Sequence, residues 1–591
     1  MARADAPAAE TAWELASAPA DAAALATAAG LPPWLGALLV ARGADTAAAA
    51  RRFVQPRLAD VRPPDTMAGL APAAARLAAA LRGHERIGVF GDYDVDGVSS
   101  AALTGDYLRA CGGDVLVRVG QRASGYGLAE PDAAALLEAG CAVAVVCDCG
   151  TSDHDSVAQL RAAGVDVIVV DHHQVPDPAA PATILVNPQQ PCCAFPFKGL
   201  AAVGLCFYLC AALRTALKHE RAAANGSAGL PPGEEPDPRE WLDLVALGTV
   251  ADMAPLVGEN RILVSHGLKV LGRGRRPGLR ALADLAGIAD HVRAEDIAFR
   301  LAPRLNAPGR LGDATPALGV LLEPDLMRAR ALAAECDAAN RSRQVLQESV
   351  YAAAVADLDR RPPGPVVVVA GQGWHPGVVG IVAAKLVDRY GVPAAVIALD
   401  GAVGRGSART VPGFHLYEAL RACAPHLVRY GGHAAAAGMT VEATQVDELR
   451  VALEEAARVA FPAGPAPRPL RLDAELPLGA ITRALCEEVA LLEPFGIGNP
   501  EPQLCTRGLQ VLEQRLVGER EDHLLLTLSD GACELRAIGF RLAPSAPGVG
   551  AIVDVAYVPE VDEYRGTVQV RLRLRDLRPA ARPGGAHGWT T

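Results

Sequence analysis

Aromatic residues make up only 4% of this 591-residue chain, so few side chains can offer flat stacking platforms. Positive charge is also in deficit: the formal net charge is −11, which excludes a surface that is basic throughout. Any contact with a polyanion must come from a local patch. No uncharged apolar run reaches the ~18 residues of a membrane span. The opening "MARADAPAAETAWELASAPA" carries acids and lacks a basic segment followed by an apolar one, so it does not read as a secretory signal. The thirteen cysteines include no CxxC and are odd in number, which excludes a zinc ribbon and a full disulfide framework. Reduced thiols in a cytoplasm are the expectation.

What the chain has is apolar residues, 51% of the total, much of it alanine. The length suggests roughly three or four domains. Residues 1–80 read as a helical segment. Apolar runs then alternate with helical stretches: "RIGVF" (86–90), "DVLVRV" (114–119), "AVAVVC" (142–147), "DVIVV" (166–170) and "TILV" (183–186). This rhythm predicts an α/β domain over 81–260 with a parallel sheet covered on both faces. "NGSAGLPPGEEPDPRE" (225–240) reads as an exposed loop. Residues 261–360 are a mostly helical connection ending in "RRPPGP". A second α/β domain starts at "VVVVAG" and runs over 361–460. Beyond the linker "FPAGPAPRPL", residues 466–580 show alternating runs expected of a small antiparallel β-barrel or sandwich. Residues 581–591 form a tail.

Chemistry gathers where the apolar runs end. "VFGDYDVDGVSS" places Asp92, Asp94 and Asp96 two residues apart, and an extended chain would put them on one side at about 6–7 Å. "AVAVVCDCGTS" ends a run with Asp148. "DVIVVDHHQVPD" ends the next with Asp171, His172 and His173. "LVALGTVADMAPL" adds Asp252 after a further apolar segment. Each acid alone could be a cap or a turn. Jointly they would crowd one sheet edge with repelling carboxylates unless cations join them. Carboxylates with one or two imidazoles suit Mn²⁺ or Mg²⁺, and a bridging aspartate can hold two ions.

"DYDVDG", "CDCGTS", "VDHHQVPD" and "GTVADMAPL" resemble the four successive motifs of the DHH phosphoesterase superfamily. "GGHAAAAGMT" (431–440) resembles the glycine-rich signature of its DHHA1 substrate-binding domain. "PRLNAPGRL" (303–311), "WHPGVVGIVAAKL" (374–386), "GSART" (406–410) and "EPFGIGNPEP" (493–502) narrow the resemblance to bacterial single-strand-specific 5′→3′ DNA exonucleases. It covers residues 35–580, in order. The resemblance implies a DHH domain, connecting helices, a DHHA1 domain and an OB-like barrel. It implies Asp94, Asp96, Asp148, His172 and Asp252 as ligands of two Mn²⁺ or Mg²⁺ ions. Asp92 is either a ligand or a group that orients one. His173 would face the scissile phosphate, and Asp171 would orient the histidine pair, so His173, Asp92 and Asp171 are the catalytic candidates. Gly97 and Gly150 would permit tight turns beside the ligands. His154 reads as a surface residue.

Substrate-binding candidates are Arg304, Asn306, Arg310, His375, Ser407, Arg409 and His433. His433 would bond a phosphate or fix its own loop. Residues 269–310 hold nine Lys/Arg (Lys269, Arg273, Arg275, Arg276, Arg280, Arg293, Arg300, Arg304, Arg310) and four acids (Asp284, Asp290, Glu295, Asp296). They read either as a solvated helix face or as a stripe that tracks a nucleic-acid backbone. In the barrel, Phe540, Tyr557 and Tyr564 are candidate stacking rings, each with a competing reading as core. Single-stranded DNA is the implied partner of a monomeric, membrane-free, cytoplasmic enzyme, with a single-strand-binding protein and a helicase as further expected partners. A phosphodiesterase for short oligonucleotides or cyclic dinucleotides would be shorter and lack the barrel. A non-catalytic relative would have lost the ligands. A manganese pyrophosphatase would not carry "GGHAAAAG".

Overall fold

The computed structural model describes residues 12–17, 19–223, 235–289, 291–462, 464–465, 469–564 and 567–580. Most of the 225–240 insertion, Asp290, the Tyr564 side chain and the 581–591 tail lie outside them. The chain opens with a strand, β1 (Trp13–Leu15), where the sequence suggested only helix. Then come β2 (Ile87–Gly91), β3 (Val115–Val119), β4 (Val143–Cys147), β5 (Asp166–Val170) and β6 (Ile184–Val186). These last five form one parallel sheet in the order β3-β2-β4-β5-β6. The runs of β2, β4 and β5 are buried on both faces, as the centre of a parallel sheet sandwiched by helices requires, while the edge strands β3 and β6 are mostly half-buried. Val89, Val145 and Ile168 point into one core, and Phe90, Val146 and Val169 into the other. The chain leaves β2 for β3 on one side, then returns to lay β4 on the other. The switch point therefore lies between the carboxyl ends of β2 and β4, where ligands bind in such sheets.

Only part of "DYDVDG" is extended. Asp92 continues β2, but Asp94 is the N-cap of the Val95–Ala110 helix, and Asp96 sits in its first turn. The two-residue alternation thus describes a strand-to-helix turn, not a strand edge. Asp252 likewise follows no strand. It is the C-cap of the Leu242–Ala251 helix.

Helices from Gly258 to Arg360 make the connection, the last being the 35-residue Leu326–Arg360 helix, ~50 Å long. The second domain holds β7 (Val367–Gln372), β8 (Ala394–Asp400), β9 (Val403–Arg409), β10 (Arg429–Gly432) and β11 (Ala436–Glu442) in the order β10-β11-β9-β8-β7. Only β7 and β8 pair in parallel.

The last domain contains β12 (Leu470–Leu472), β13 (Ala474–Glu475), β14 (Leu504–Val517), β15 (His523–Ser529), β16 (Glu534–Gly539), β17 (Ile552–Tyr564) and β18 (Thr567–Pro579). Strands β14-β15-β16-β18-β17 close into a barrel through the β14–β17 pairing. Its β16–β18 pair is parallel, so the barrel is not antiparallel throughout. Tyr557 is fully buried in the barrel core, with its hydroxyl 2.8 Å from the Thr506 hydroxyl, which removes it as a stacking ring. Phe540 is exposed and packs edge-on against His523. The N-terminal segment bridges domains: β1 pairs with β12, Trp13 Nε1 donates to Asp576 Oδ2 at 2.8 Å, and the helices after β1 pack on Leu492 and Phe495.

The turn from β2 into its helix needs glycine. A Cβ on Gly97 would come within 2.5 Å of the Asp92 carbonyl oxygen. Gly97→Ala is therefore expected to lower stability by about 1–3 kcal/mol, read as a lower urea midpoint at constant slope. An unchanged midpoint would show that the turn can relax.

Candidate active site

The switch point collects six carboxylates and two imidazoles. Asp92 accepts a bond from Gly127 N at 3.4 Å through Oδ1, while its buried Oδ2 has no hydrogen-bond partner among the described residues. Asp94 caps its helix by accepting from Asp96 N at 3.0 Å and Gly97 N at 3.2 Å. Asp96 is buried against a second helix start, accepting from Ala202 N at 2.8 Å and Val203 N at 3.0 Å. A Cβ on Gly248 would lie 2.7 Å from Asp96 Oδ1, so glycine lets the Leu242–Ala251 helix pass this close.

Asp148 follows β4 with φ +62, a left-handed backbone that costs a non-glycine residue free energy and so must be held by its surroundings. Its amide donates to Val170 O at 2.9 Å, and its carbonyl accepts from the Tyr126 hydroxyl at 2.7 Å. Asp148 Oδ1 lies 3.2 Å from His172 Nε2, yet the two buried atoms form no hydrogen bond. His172 Nδ1 is 3.9 Å from Asp252 Oδ2. Two sets of ligand atoms each gather within 4.8 Å: Asp148, His172 and His173, and Asp96, His172 and Asp252. Facing, buried, unpaired donors of hard oxygen and imidazole nitrogen fit a divalent cation such as Mn²⁺ or Mg²⁺.

The two histidines differ. Asp171 Oδ1 holds His173 Nδ1 at 2.7 Å and also accepts from the amides of His172 and His173 at 2.8 and 3.2 Å. Burial opposes charge on His173, but the Asp171 bond and charge outweigh it and raise its pKa. Burial would raise Asp171, yet the same bond brings it below the usual carboxylate range. His172 is pushed down to about 4, by burial first and by His173 second, and so stays neutral, as a metal ligand must. Burial followed by like-charge repulsion raises Asp92, Asp96 and Asp148 well above the usual range. Asp252 is pushed up to about 7 by burial and then by Asp94.

A cleft of about 660 Å³ opens beside this cluster, between the first and second domains. Tyr93, Arg122 and Tyr126 line one wall; Arg310, His375, Arg405, Ser407, Arg409 and Arg429 line the others. No carboxylate lies among the described lining residues. Tyr126, which lies 3.0 Å from His173 Nδ1, joins the cleft to the acid cluster. Arg310 is pushed down to about 10 by burial and then by Arg122 and Arg343, and Asp94 only partly opposes this. Arg409 donates to Ser407 Oγ at 3.1 Å and Ala408 O at 2.8 Å, and burial lowers its pKa as well. Two half-buried guanidiniums without a carboxylate partner among the described residues call for an external anion.

Arg310, His375, Ser407 and Arg409 therefore meet in one cleft. Asn306 instead lines a second groove of about 680 Å³ that shares Arg310 and runs past Met253, Phe299 and Ile497 to the barrel. Arg304 lines neither, because its Nε bonds Asp337 at 2.9 Å and another of its nitrogens bonds Arg300 O. His433 is exposed outside both, its amide bonded to Ala436 O. Much of the 269–310 basic run is neutralised: Arg275, Arg276, Arg280, Arg300 and Arg304 each pair with an acid. His154 lies in the first turn of the His154–Ala162 helix and belongs to neither ligand set. Tyr126, Arg122 and Arg343 were not foreseen from sequence. "RASGYG" after β3, at the same sheet edge as the acids, was the available signal for the first two.

The chain matches the N-terminal domain of the DHH family over residues 86–249, the DHHA1 domain over 364–458 and the RecJ OB domain over 472–576. It is 35% identical over 554 residues to the single-stranded-DNA-specific exonuclease RecJ of Bacillus subtilis, covering 92% of this chain and 68% of that one. It is 35% identical to the protein of the same name from Salmonella typhimurium, over 93% of this chain and 96% of the other. The crystal structure of Thermus thermophilus RecJ in complex with Mn²⁺ superposes with a TM-score of 0.82 at 32% identity, covering 97% of this chain and 80% of that chain.

The raised carboxylates make metal-free stability depend on pH with a definite sign. Asp252 titrates near 7 when folded and near its ordinary value of 3.8 when unfolded, so the native state binds the extra proton between these limits. Its contribution is fully present below pH 3.8 and is lost as pH rises through 7. In chelator-treated protein, Asp252→Asn is expected to stabilise relative to wild type progressively more from pH 5 to pH 8, measured by urea unfolding. A pH-independent difference would show that Asp252 titrates normally.

Proposed function

The chain belongs to the RecJ family of single-stranded-DNA-specific exonucleases, and from that membership we propose that it removes 5′ mononucleotides from single-stranded DNA in the 5′→3′ direction, in DNA repair and recombination. The supporting observation is the carboxylate-free arginine cleft opening directly beside the acid and histidine cluster. Asp94, Asp96, Asp148, His172 and Asp252 would hold two Mn²⁺ or Mg²⁺ ions, with Asp92 behind them. Such ions supply a water of lowered pKa and neutralise charge on a phosphate oxygen.

The remaining roles fall to the chain's own groups. His173, whose protonated form Asp171 favours, would donate to a nonbridging oxygen of the scissile phosphate. The Tyr126 hydroxyl donates its one hydrogen bond to the Asp148 carbonyl, so towards His173 it can only accept, and it fixes the ring beside the cleft. Arg409, Ser407 and Arg310 receive the terminal 5′ phosphate, which carries more charge than an internal diester. Reading an end rather than a backbone gives the direction of degradation. A single-strand-binding protein and a helicase are the proposed partners of this monomeric, cytoplasmic enzyme, because together they expose the strand it consumes.

His173→Ala is expected to lower kcat while leaving Mn²⁺ affinity close to that of wild type, and His172→Ala to weaken both, as read by calorimetric titration with single-turnover assays. Equal loss of Mn²⁺ affinity in the two variants would reverse the assignment.

Arg409→Ala removes a charge-assisted contact of about 1.5–3 kcal/mol, equivalent to a tenfold to hundredfold fall in kcat/KM. The loss should be larger on a 5′-phosphorylated strand than on the same strand ending in a hydroxyl. A loss independent of the end group would put the 5′ pocket elsewhere.

A further inference from the structure

Asp252 sits on a helix-ending turn that two further main-chain bonds close, from Met253 N to Val250 O and from Ala254 N to Thr249 O at 3.2 Å each. The Leu242–Ala251 helix ends at Asp252, whose amide reaches Gly248 O at 2.9 Å. The next residue, Met253, adopts φ +61 and is 66% exposed. Glycine usually fills such a left-handed position at a helix end; a methionine there carries strain that the helix-end bonds and the neighbouring structure together must offset. Three residues on, the connector meets the barrel domain. Leu256 N donates to Ile497 O at 2.7 Å. A Cβ on Gly496 would lie 2.7 Å from Leu256 Cδ1, and one on Gly498, whose φ is +76, would lie 3.3 Å from both Pro255 and Val257. The loop 493–499 therefore rests on the connector that carries Asp252, at distances that leave no room for a side chain at Gly496 and little at Gly498.

Arg261 locks the two together. It is 2% exposed and rises from the helix that follows the connector. Its Nε donates to Phe53 O at 2.9 Å, and its two terminal nitrogens donate to Glu493 O at 2.8 Å and Pro494 O at 3.4 Å. Its guanidinium carbon lies 3.9 Å from the centre of the Phe53 ring. A buried guanidinium committed to three main-chain carbonyls from two separate segments fixes backbone positions, because a planar fork satisfies them only in one arrangement. Asn499 closes the loop from the other side, donating to Leu492 O and Pro494 O at 2.8 Å each.

We infer that Arg261 and the 493–499 loop are positioning elements of the active site: the C-terminal barrel domain, through this loop, sets the place of Asp252. The inference rests on the reading of Asp252 as a metal ligand. The barrel domain is then part of the catalytic centre's framework in addition to any contact with the strand.

The test is Mn²⁺ titration by calorimetry of wild type, Asp252→Asn, Arg261→Met, Arg261→Lys and Gly498→Ala, with hydrogen exchange of the metal-free proteins followed over residues 249–258 and over β2, β4 and β5. Groups that orient a metal ligand from behind typically change affinity 10–100-fold when removed. Arg261→Met and Gly498→Ala should weaken binding of one Mn²⁺ by this factor and speed exchange over 249–258, with β2, β4 and β5 unchanged. Arg261→Lys should recover part of the affinity. Gly498→Ala keeps the buried guanidinium and its partners, so it decides the matter if Arg261→Met fails to fold. If Asp252→Asn binds Mn²⁺ as wild type does, the ligand assignment itself is wrong. If Asp252→Asn loses an ion while Gly498→Ala and the folded Arg261 variants do not, the positioning role is overturned.

Discussion

Crowding like charges out of water is the constraint around which this molecule is arranged. Asp92, Asp96 and Asp148 are almost wholly buried within one switch point, and Asp94 and Asp252 stand beside them. Burial and mutual repulsion both disfavour their charged forms. Two helix starts are aimed at the cluster to offset this: Asp94 caps one, and Asp96 takes the first amides of another. Main-chain amides at helix starts stabilise negative charge without bringing a mobile counter-ion. The compensation is partial, because Asp148 Oδ1, His172 Nε2 and Asp92 Oδ2 remain unpaired. Those leftover valences give the site its appetite for cations.

The opposite problem lies across the cleft. Arg310 and Arg409 are half-buried positive charges, and at Arg310 both Arg122 and Arg409 add repulsion to the cost of burial. A chain of net charge −11 has thus segregated its signs over a short distance. Under the proposed function, a phosphate ester between the two walls would be attracted by both, through cations on one side and guanidiniums on the other. Ion pairing elsewhere keeps this field local: five arginines of the 269–310 run are matched by acids, which leaves Arg310 as the member of that run that reaches the cleft.

Holding both walls in register is a task shared among domains distant in sequence. Arg310 touches Gly377 O, and a Cβ on Gly377 would lie 2.1 Å from Arg310 O, so the connecting helices and the second domain meet backbone to backbone. At the far side, the N-terminal segment, the barrel loop and the helix bearing Arg261 share one set of hydrogen bonds.

The sequence by itself determined the sheet strands and the identity of the acid and imidazole cluster. Runs such as "AVAVVC" and "DVIVV" have one conformation that buries both faces, and a polar residue ending such a run lands on the sheet edge. It also singled out Arg310, Ser407 and Arg409, through the motifs around them, and the fold brings all three to one cleft. Local pattern is weakest where the chain changes state within a few residues, as where "DYDVDG" turns from strand to helix cap, and in β14, the longest strand of the barrel, whose apolar residues do not alternate cleanly. Tertiary structure alone decided which arginines are free. Arg304 and Arg310 lie six residues apart in one motif, yet Asp337 engages the first and burial against the second domain leaves the second without a carboxylate partner among the described residues. Pairing depends on residues brought close by folding, and Tyr126 and Arg261 owe their roles to the same cause: each acts on carbonyls that no sequence window could place beside it.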